Sequence, residues 1–135
     1  MIEQYADEWV TLLRSGTYTQ GPRRLTRNLT AGDDSTRVYD ALALLCIVMQ
    51  GHLSGDDLAE VSFTFSGTTG YGWLTATQAE YNLPLRVREL TGVQTKTGIF
   101  TLDGSQTSIA ILNDSTPAYT FDEIATFVED HWEEI

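Results

Sequence analysis

Apolar residues recur at helical spacing at the start of the chain: Ile2, Tyr5, Trp9, Leu12 and Leu13 share one face, and Glu3, Asp7 and Glu8 mark another. This pattern predicts an amphipathic helix over 2–14. Arg14 suits its negative end and Gly16 a left-handed stop. Residues 17–32, rich in Thr, Gly and Arg, read as a connection. Asp33, Asp34 and Ser35 are capping residue types, and the run from Val38 to Met49 behind them is apolar nearly all round. A second helix is therefore expected over about 36–50, ended by Gly51. A helix with so little polar surface belongs in the middle of a domain.

Further along, the alternation Val61-Ser62-Phe63-Thr64-Phe65-Ser66 reads as a strand, with Tyr71-Gly72-Trp73-Leu74 as a pairing partner and a short helix over 75–81 capped by Thr75. Pro84 opens another short helix and Gly92 closes it. Ile99 to Leu102, followed by Asp103-Gly104, reads as strand and turn, and 107–113 as a short helix capped by Thr107 or Ser108. The last helix is marked most strongly. Thr120 and Glu123 have the spacing of a capping box, and Phe121, Ile124, Val128, Trp132 and Ile135 form one stripe. The expected fold is a compact α+β domain over 1–135, mainly helical, with a small antiparallel sheet.

The length suits one domain, able to bury roughly two-thirds of its unfolded surface. No run approaches the roughly 20 apolar residues that span a bilayer, and no basic segment leads into an apolar one near Met1. Neither a membrane span nor a secretory leader is expected. The single cysteine, Cys46, lies in the apolar run and reads as a small core residue.

Charge sharpens the picture. Nineteen acids face eight bases, for a net charge of −11, and only Lys96 among the bases is a lysine. Direct duplex DNA binding is not expected of such a surface. Two accounts of the acidity stand: a face for a basic partner, or adaptation to a salty cytoplasm, which favours acidic, lysine-poor, threonine-rich surfaces. Glu129, Asp130, Glu133 and Glu134 crowd the negative end of the last helix, a placement that either high salt or a basic partner relieves.

Against this background, Arg14, Arg23, Arg24 and Arg27 are half of all basic residues, gathered into a short stretch with Tyr18, Gln20 and the turn-forming Gly21-Pro22. Arginine forks match phosphate or carboxylate, and aromatic rings can stack on a base. The loop is the candidate site for a small nucleotide-like anion, with Asn113-Asp114 as further polar candidates; the alternative is that these arginines pair with the chain's own acids. Asn113 and Asp114 fall in an expected turn, where both types also bond to nearby backbone. Asp40, a carboxylate in an apolar helix, needs a partner, and an arginine from 23–27 is the expected one.

Catalytic constellations are thin. His52 and His131 lack metal-ligand spacing, and no nucleophile elbow, phosphate loop or zinc-protease motif is present. No cofactor and no metal are expected. A helix-turn-helix is not supported either, because the helix over 120–134 would be the supporting helix and its exposed face is acidic.

Four motifs occur in order: Trp9 with Leu13-Arg14-Ser15-Gly16-Thr17-Tyr18-Thr19-Gln20; Tyr39 to Cys46; Leu83-Pro84 with Val87 and Leu90-Thr91-Gly92; and Leu112-Asn113-Asp114 with Thr120-Phe121 to Ala125. This order, over about residues 9 to 130, resembles a large family of small proteins found mainly in viruses of prokaryotes and in prophages. The chain departs from the family pattern at Asp40 and Ala41, where relatives carry cysteines, and at Ala43, where they carry glycine. The resemblance implies a viral accessory protein in the cytoplasm of the infected cell, or a component of the virus particle, and no particular activity. The leading expectation is a non-enzymatic protein that engages a host or viral protein through Glu129, Asp130, Trp132 and Glu133. The alternatives are the small-anion binder and the virion component.

Overall fold

The computed structural model describes residues 1–30, 33–55 and 82–135. The strands expected at 61–66 and 71–74 and the helix at 75–81 lie outside the described residues. Within them the fold is α+β, with five α-helices and two small antiparallel sheets: α1 (Glu3–Arg14), β1 (Thr26–Asn28), β2 (Arg37–Tyr39), α2 (Ala41–Gln50), α3 (Leu85–Thr91), β3 (Ile99–Leu102), β4 (Ser105–Ser108), α4 (Ile109–Asp114) and α5 (Phe121–His131). None of the described helices is long and apolar enough to cross a membrane.

Helix α2 is the centre. Every residue from Ala41 to Cys46 is fully buried, as the lack of a polar face requires. Burial pushes the Cys46 thiol well up from its ordinary pKa, in keeping with a core residue. Helix α1 packs on α2 and α5 through Ala6, Trp9, Val10 and Leu13, spaced to fall on one stripe. The Trp9 indole N–H donates to the Ala41 carbonyl at 2.8 Å, which satisfies its one polar atom inside the core. Ile2, expected on the same stripe, is instead 49% exposed.

Helices α1 and α5 run antiparallel: the Met1 amine donates to the Trp132 carbonyl, while Arg14 at the other end reaches Asp122, Thr126 and Glu129. Helix α5 starts at the expected capping box. Thr120 Oγ1 accepts from the Glu123 N–H, and the Glu123 carboxylate accepts from the Thr120 N–H. Ile124 and Val128 are fully buried below it. Pro84 and Gly92 bracket α3 as expected, with Gly92 at φ 76°. The β3–β4 hairpin turns on Asp103 and Gly104, both at positive φ, the geometry of a two-residue primed turn. Ser108 caps α4 through the Ile111 N–H.

One expectation is corrected. The central helix does not begin near residue 36. Asp33 does cap, accepting from the Ser35 N–H, but what it caps is a single 3-10 turn over Asp34–Thr36. Arg37–Tyr39 is then a strand, because it is paired on both edges. One edge takes β1 in the register Thr26↔Tyr39, Arg27↔Val38, Asn28↔Arg37, so the expected connection over 17–32 contains a strand of its own. The other edge takes the segment at Thr19 to Gly21, through Tyr39 N–H to the Thr19 carbonyl and Gly21 N–H to the Tyr39 carbonyl. Helix α2 begins after this, with Asp40 as its cap.

The close approach at Gly21 explains the residue type. A Cβ there would lie 2.2 Å from Val38 Cγ2, a branched side chain with no room to retreat. Gly21→Ala is expected to lower the unfolding free energy by about 1–3 kcal/mol, the usual range for overpacking. The double variant with Val38→Ala should recover part of that loss. Chemical denaturation of the four proteins checks this, and strict additivity of the two changes would show that the contact is not the cause.

Candidate functional site

The extra edge of β2 places the candidate loop. Gln20 and Gly21 lie against Tyr39, and Pro22 turns the chain so that Arg23 leaves the sheet at φ 70°. A left-handed arginine is uncommon and has to be held. The holder is Asp114, whose Oδ1 accepts from the Arg23 N–H at 2.7 Å.

Asn113, next to it, is 2% exposed. Its Oδ1 accepts from Gln20 Nε2 and from the Ala41 N–H, each at 3.1 Å. Its Nδ2 donates to the Gly21 carbonyl at 3.1 Å and to Asp114 Oδ1 at 3.0 Å. The sequence places Asn113 at the end of the expected helix over 107–113 and the pair in the turn that follows it. The helix runs one residue further, so both residues end α4, and their bonds reach distant segments rather than local backbone. The corrected role follows from the helix, which aims Asn113 inward and Asp114 toward solvent.

These residues enclose a cleft of about 400 Å³, lined by Gln20, Gly21, Pro22, Arg23, Arg27, Asn113, Asp114, Ser115, Thr116 and Ala118. Five of the seven sequence-derived ligand candidates therefore come together: Gln20, Arg23, Arg27, Asn113 and Asp114. Tyr18 does not line the cleft. It stands edge-on to Tyr39, centroids 5.0 Å apart, and packs on the core. Arg24 is half-buried and outside the lining. Arg14, counted with this cluster by sequence proximity, points the other way to α5. Ser115, Thr116 and Ala118 complete the wall; their only mark in the sequence is the Ser-Thr-Pro turn that follows α4.

Arg27 is half-buried, and its Nε, like that of Arg88 outside the cleft, is buried without a hydrogen-bond partner among the described residues. Buried guanidinium nitrogens are ordinarily paired.

Asp40 does not take the arginine expected for it. Its carboxylate accepts from the Ala43 N–H at 2.7 Å and caps α2. It is 4% exposed, and burial, reinforced by the nearby Asp114 charge, pushes its pKa up to about 7.

The residues expected to meet a protein partner are placed unequally. Glu129 is held by the Arg14 guanidinium, at 2.8 Å for one of the two contacts, which keeps its carboxyl below the ordinary range. Trp132 is half-buried and packs on the core. Asp130 and Glu133 are exposed. Glu134 accepts from the Thr101 N–H and pairs with His131. His52, for its part, pairs with Glu8 at 2.6 Å. Among the described residues, no three His, Cys, Asp or Glu side chains gather as a metal site would need.

No family model, curated protein or solved structure matches the chain.

The Asp40 carboxyl gives a pH prediction. An acid whose pKa rises on folding binds a proton in the native state before the unfolded chain does. Between the ordinary value of 3.8 and about 7, stability therefore falls as pH rises. Asp40→Asn keeps the capping oxygen and removes the charge. Urea titrations across this window should show the natural protein losing several kcal/mol relative to the variant. Parallel curves for the two would mean that Asp40 is not the titrating group.

Proposed function

We propose that the protein is a non-enzymatic binder of a small phosphate- or carboxylate-bearing anion, held in the cleft between residues 20–27 and 113–118. The observation that carries this reading is that Arg23 and Arg27 line one cleft, two cations brought together in a chain of net charge −11. Guanidinium groups at a cleft wall offer charge-assisted hydrogen bonds to a phosphate or carboxylate. Arg23 lines the same cleft, and its left-handed backbone is fixed by Asp114, which presets where its side chain departs. A cleft of this volume falls in the ordinary range for small-molecule sites.

The acidic last helix offers less for a basic protein partner. Glu129 already has Arg14, and Trp132 is half-buried, so that reading rests on Asp130 and Glu133 alone. A binder of a host anion is consistent with the viral accessory role that the motif order implies, since sequestering a metabolite needs no catalytic group.

Titration with inorganic phosphate, followed by amide NMR of the whole chain, tests the proposal. Shifts are expected at Gly21, Arg23, Arg27 and Asn113. Arg27→Met, which keeps the apolar stem, should weaken binding by about tenfold or more, as loss of a charge-assisted bond would. Shifts that spread over the surface, or that survive unchanged in the variant, would overturn it.

A further inference from the structure

The two edges of the β3–β4 hairpin are treated differently. A two-residue turn makes Leu102↔Ser105 a hydrogen-bonded pair, and such pairs alternate along the ladder. The backbone N–H and C=O of Ile99 and Thr101 therefore point away from β4, and those of Gln106 point away from β3. Side chains close the β3 edge: the Thr101 N–H donates to the Glu134 carboxylate and the Ile99 N–H to Thr95 Oγ1, each at 2.9 Å. On the β4 edge, the Gln106 N–H and C=O have no partner among the described residues, and Gln106 is exposed.

This edge also lacks the usual protection. Exposed edges are ordinarily guarded by charged side chains or proline, and Ser105-Gln106-Thr107-Ser108 has neither, in a chain where one residue in five is charged. Beside it runs a groove of about 430 Å³, whose apolar wall is Ile99, Ala110 and Ile111. Ile111 is 59% exposed. Unpaired backbone groups next to an apolar groove are what strand addition uses: main-chain bonds hold the incoming segment, and the groove takes its alternate side chains.

We propose that the β4 edge, together with the groove at Ile99 and Ile111, docks an extended, cationic segment of another protein, added as a third strand. Charge selects this occupant. The chain carries −11, and exposed Asp103 and Asp114 stand at the hairpin tip and in the groove lining. A basic segment is drawn to such a surface, whereas a second copy of this chain brings a further −11 against it. The surface is separate from the arginine cleft and does not depend on an anion there.

The test is amide and methyl NMR of the whole chain titrated with the hexapeptide Lys-Val-Lys-Val-Lys-Val, whose valines share one face when extended. Shifts are expected at the Gln106 amide and the Ile111 methyl groups, with slower hydrogen exchange at Gln106. The same peptide N-methylated at alternate residues should bind about tenfold or more weakly, as loss of its main-chain bonds requires. Gln106→Pro removes an N–H that the hairpin itself does not use, and should weaken binding similarly. Ile111→Ser, at an exposed site, should weaken it without changing the hairpin. A Glu-Val counterpart should bind less well than the Lys-Val peptide. Equal binding of the N-methylated peptide, or shifts gathered on Asp130 and Glu133 and not on β4, would overturn the proposal. So would a Gln106 amide already protected without peptide, or β4 shifts that follow the protein's own concentration, since the edge would then be covered by this chain or by its copy.

Discussion

The carboxamide of Asn113 ties together three segments far apart in the chain, and the site exists only because it does so. An amide side chain has two donors and two acceptor positions, and here all four are used. Two of the bonds go to backbone groups that would otherwise be orphaned: the Gly21 carbonyl in the turn, and the Ala41 N–H in the first turn of α2. Asp40 takes the Ala43 N–H of the same turn, so a carboxylate and an amide share the open end of the central helix. Leaving such groups unsatisfied in the interior carries a penalty of about 1–3 kcal/mol each. The end of α4, the turn before Arg23 and the start of α2 are consequently fixed relative to one another, and the cleft is the space left between them.

Charge follows from the same economy of partners. The last helix crowds acids at its negative end, which in isolation is unfavourable. The chain relieves much of this itself. Arg14 crosses from α1 to Glu129 and Asp122, Glu134 turns to the Thr101 N–H, and the Met1 amine meets the Trp132 carbonyl. The α1–α5 contact therefore has an electrostatic as well as an apolar component, although exposed pairs of this kind are screened by salt. Because Arg14 is drawn away, the basic character near the cleft comes from Arg23 and Arg27, two cations in a strongly acidic protein.

Much of this architecture is legible in the sequence where local rules act alone. The capping box at Thr120 and Glu123, the Pro84–Gly92 bracket and the Asp103-Gly104 turn each name an element from a few residues. The start of α2 is not legible in that way. Val38 and Tyr39 fit the helical run as well as a strand, and only pairing on both edges, to 26–28 and to 19–21, decides for the strand. That pairing also moves Asp40 from the middle of an expected helix to its cap, where backbone amides and not an arginine receive it. Within the site, residue type identified most of the lining, since arginines and polar turn residues are conspicuous in an apolar and acidic chain. It could not separate Arg14 or Arg24 from Arg27, because neighbours in sequence diverge once a helix ends and a sheet intervenes. Nor could it show that Asn113 is a buried tie and Asp114 its exposed neighbour, which depends on where α4 stops.

Three features around the cleft are adverse to stability taken one at a time: a left-handed arginine, a guanidinium nitrogen buried without a partner, and a buried carboxyl close to Asp114. Each has a simple remedy within reach of a single substitution: glycine at 23, an apolar residue at 27, asparagine at 40. The unpartnered guanidinium nitrogen is not peculiar to the cleft, since Arg88 Nε shares it, but the left-handed arginine and the raised carboxyl are. The capping bond accounts for Asp40 in part. Arg23 is held in its left-handed conformation by Asp114, the one carboxylate that lines the cleft. A phosphate or carboxylate in the cleft would bring Arg23 and Arg27 the opposite charge that the lining, with Asp114 as its one carboxylate, supplies only in part. Features that weaken the empty protein are in this way ones that an anion in the cleft would offset.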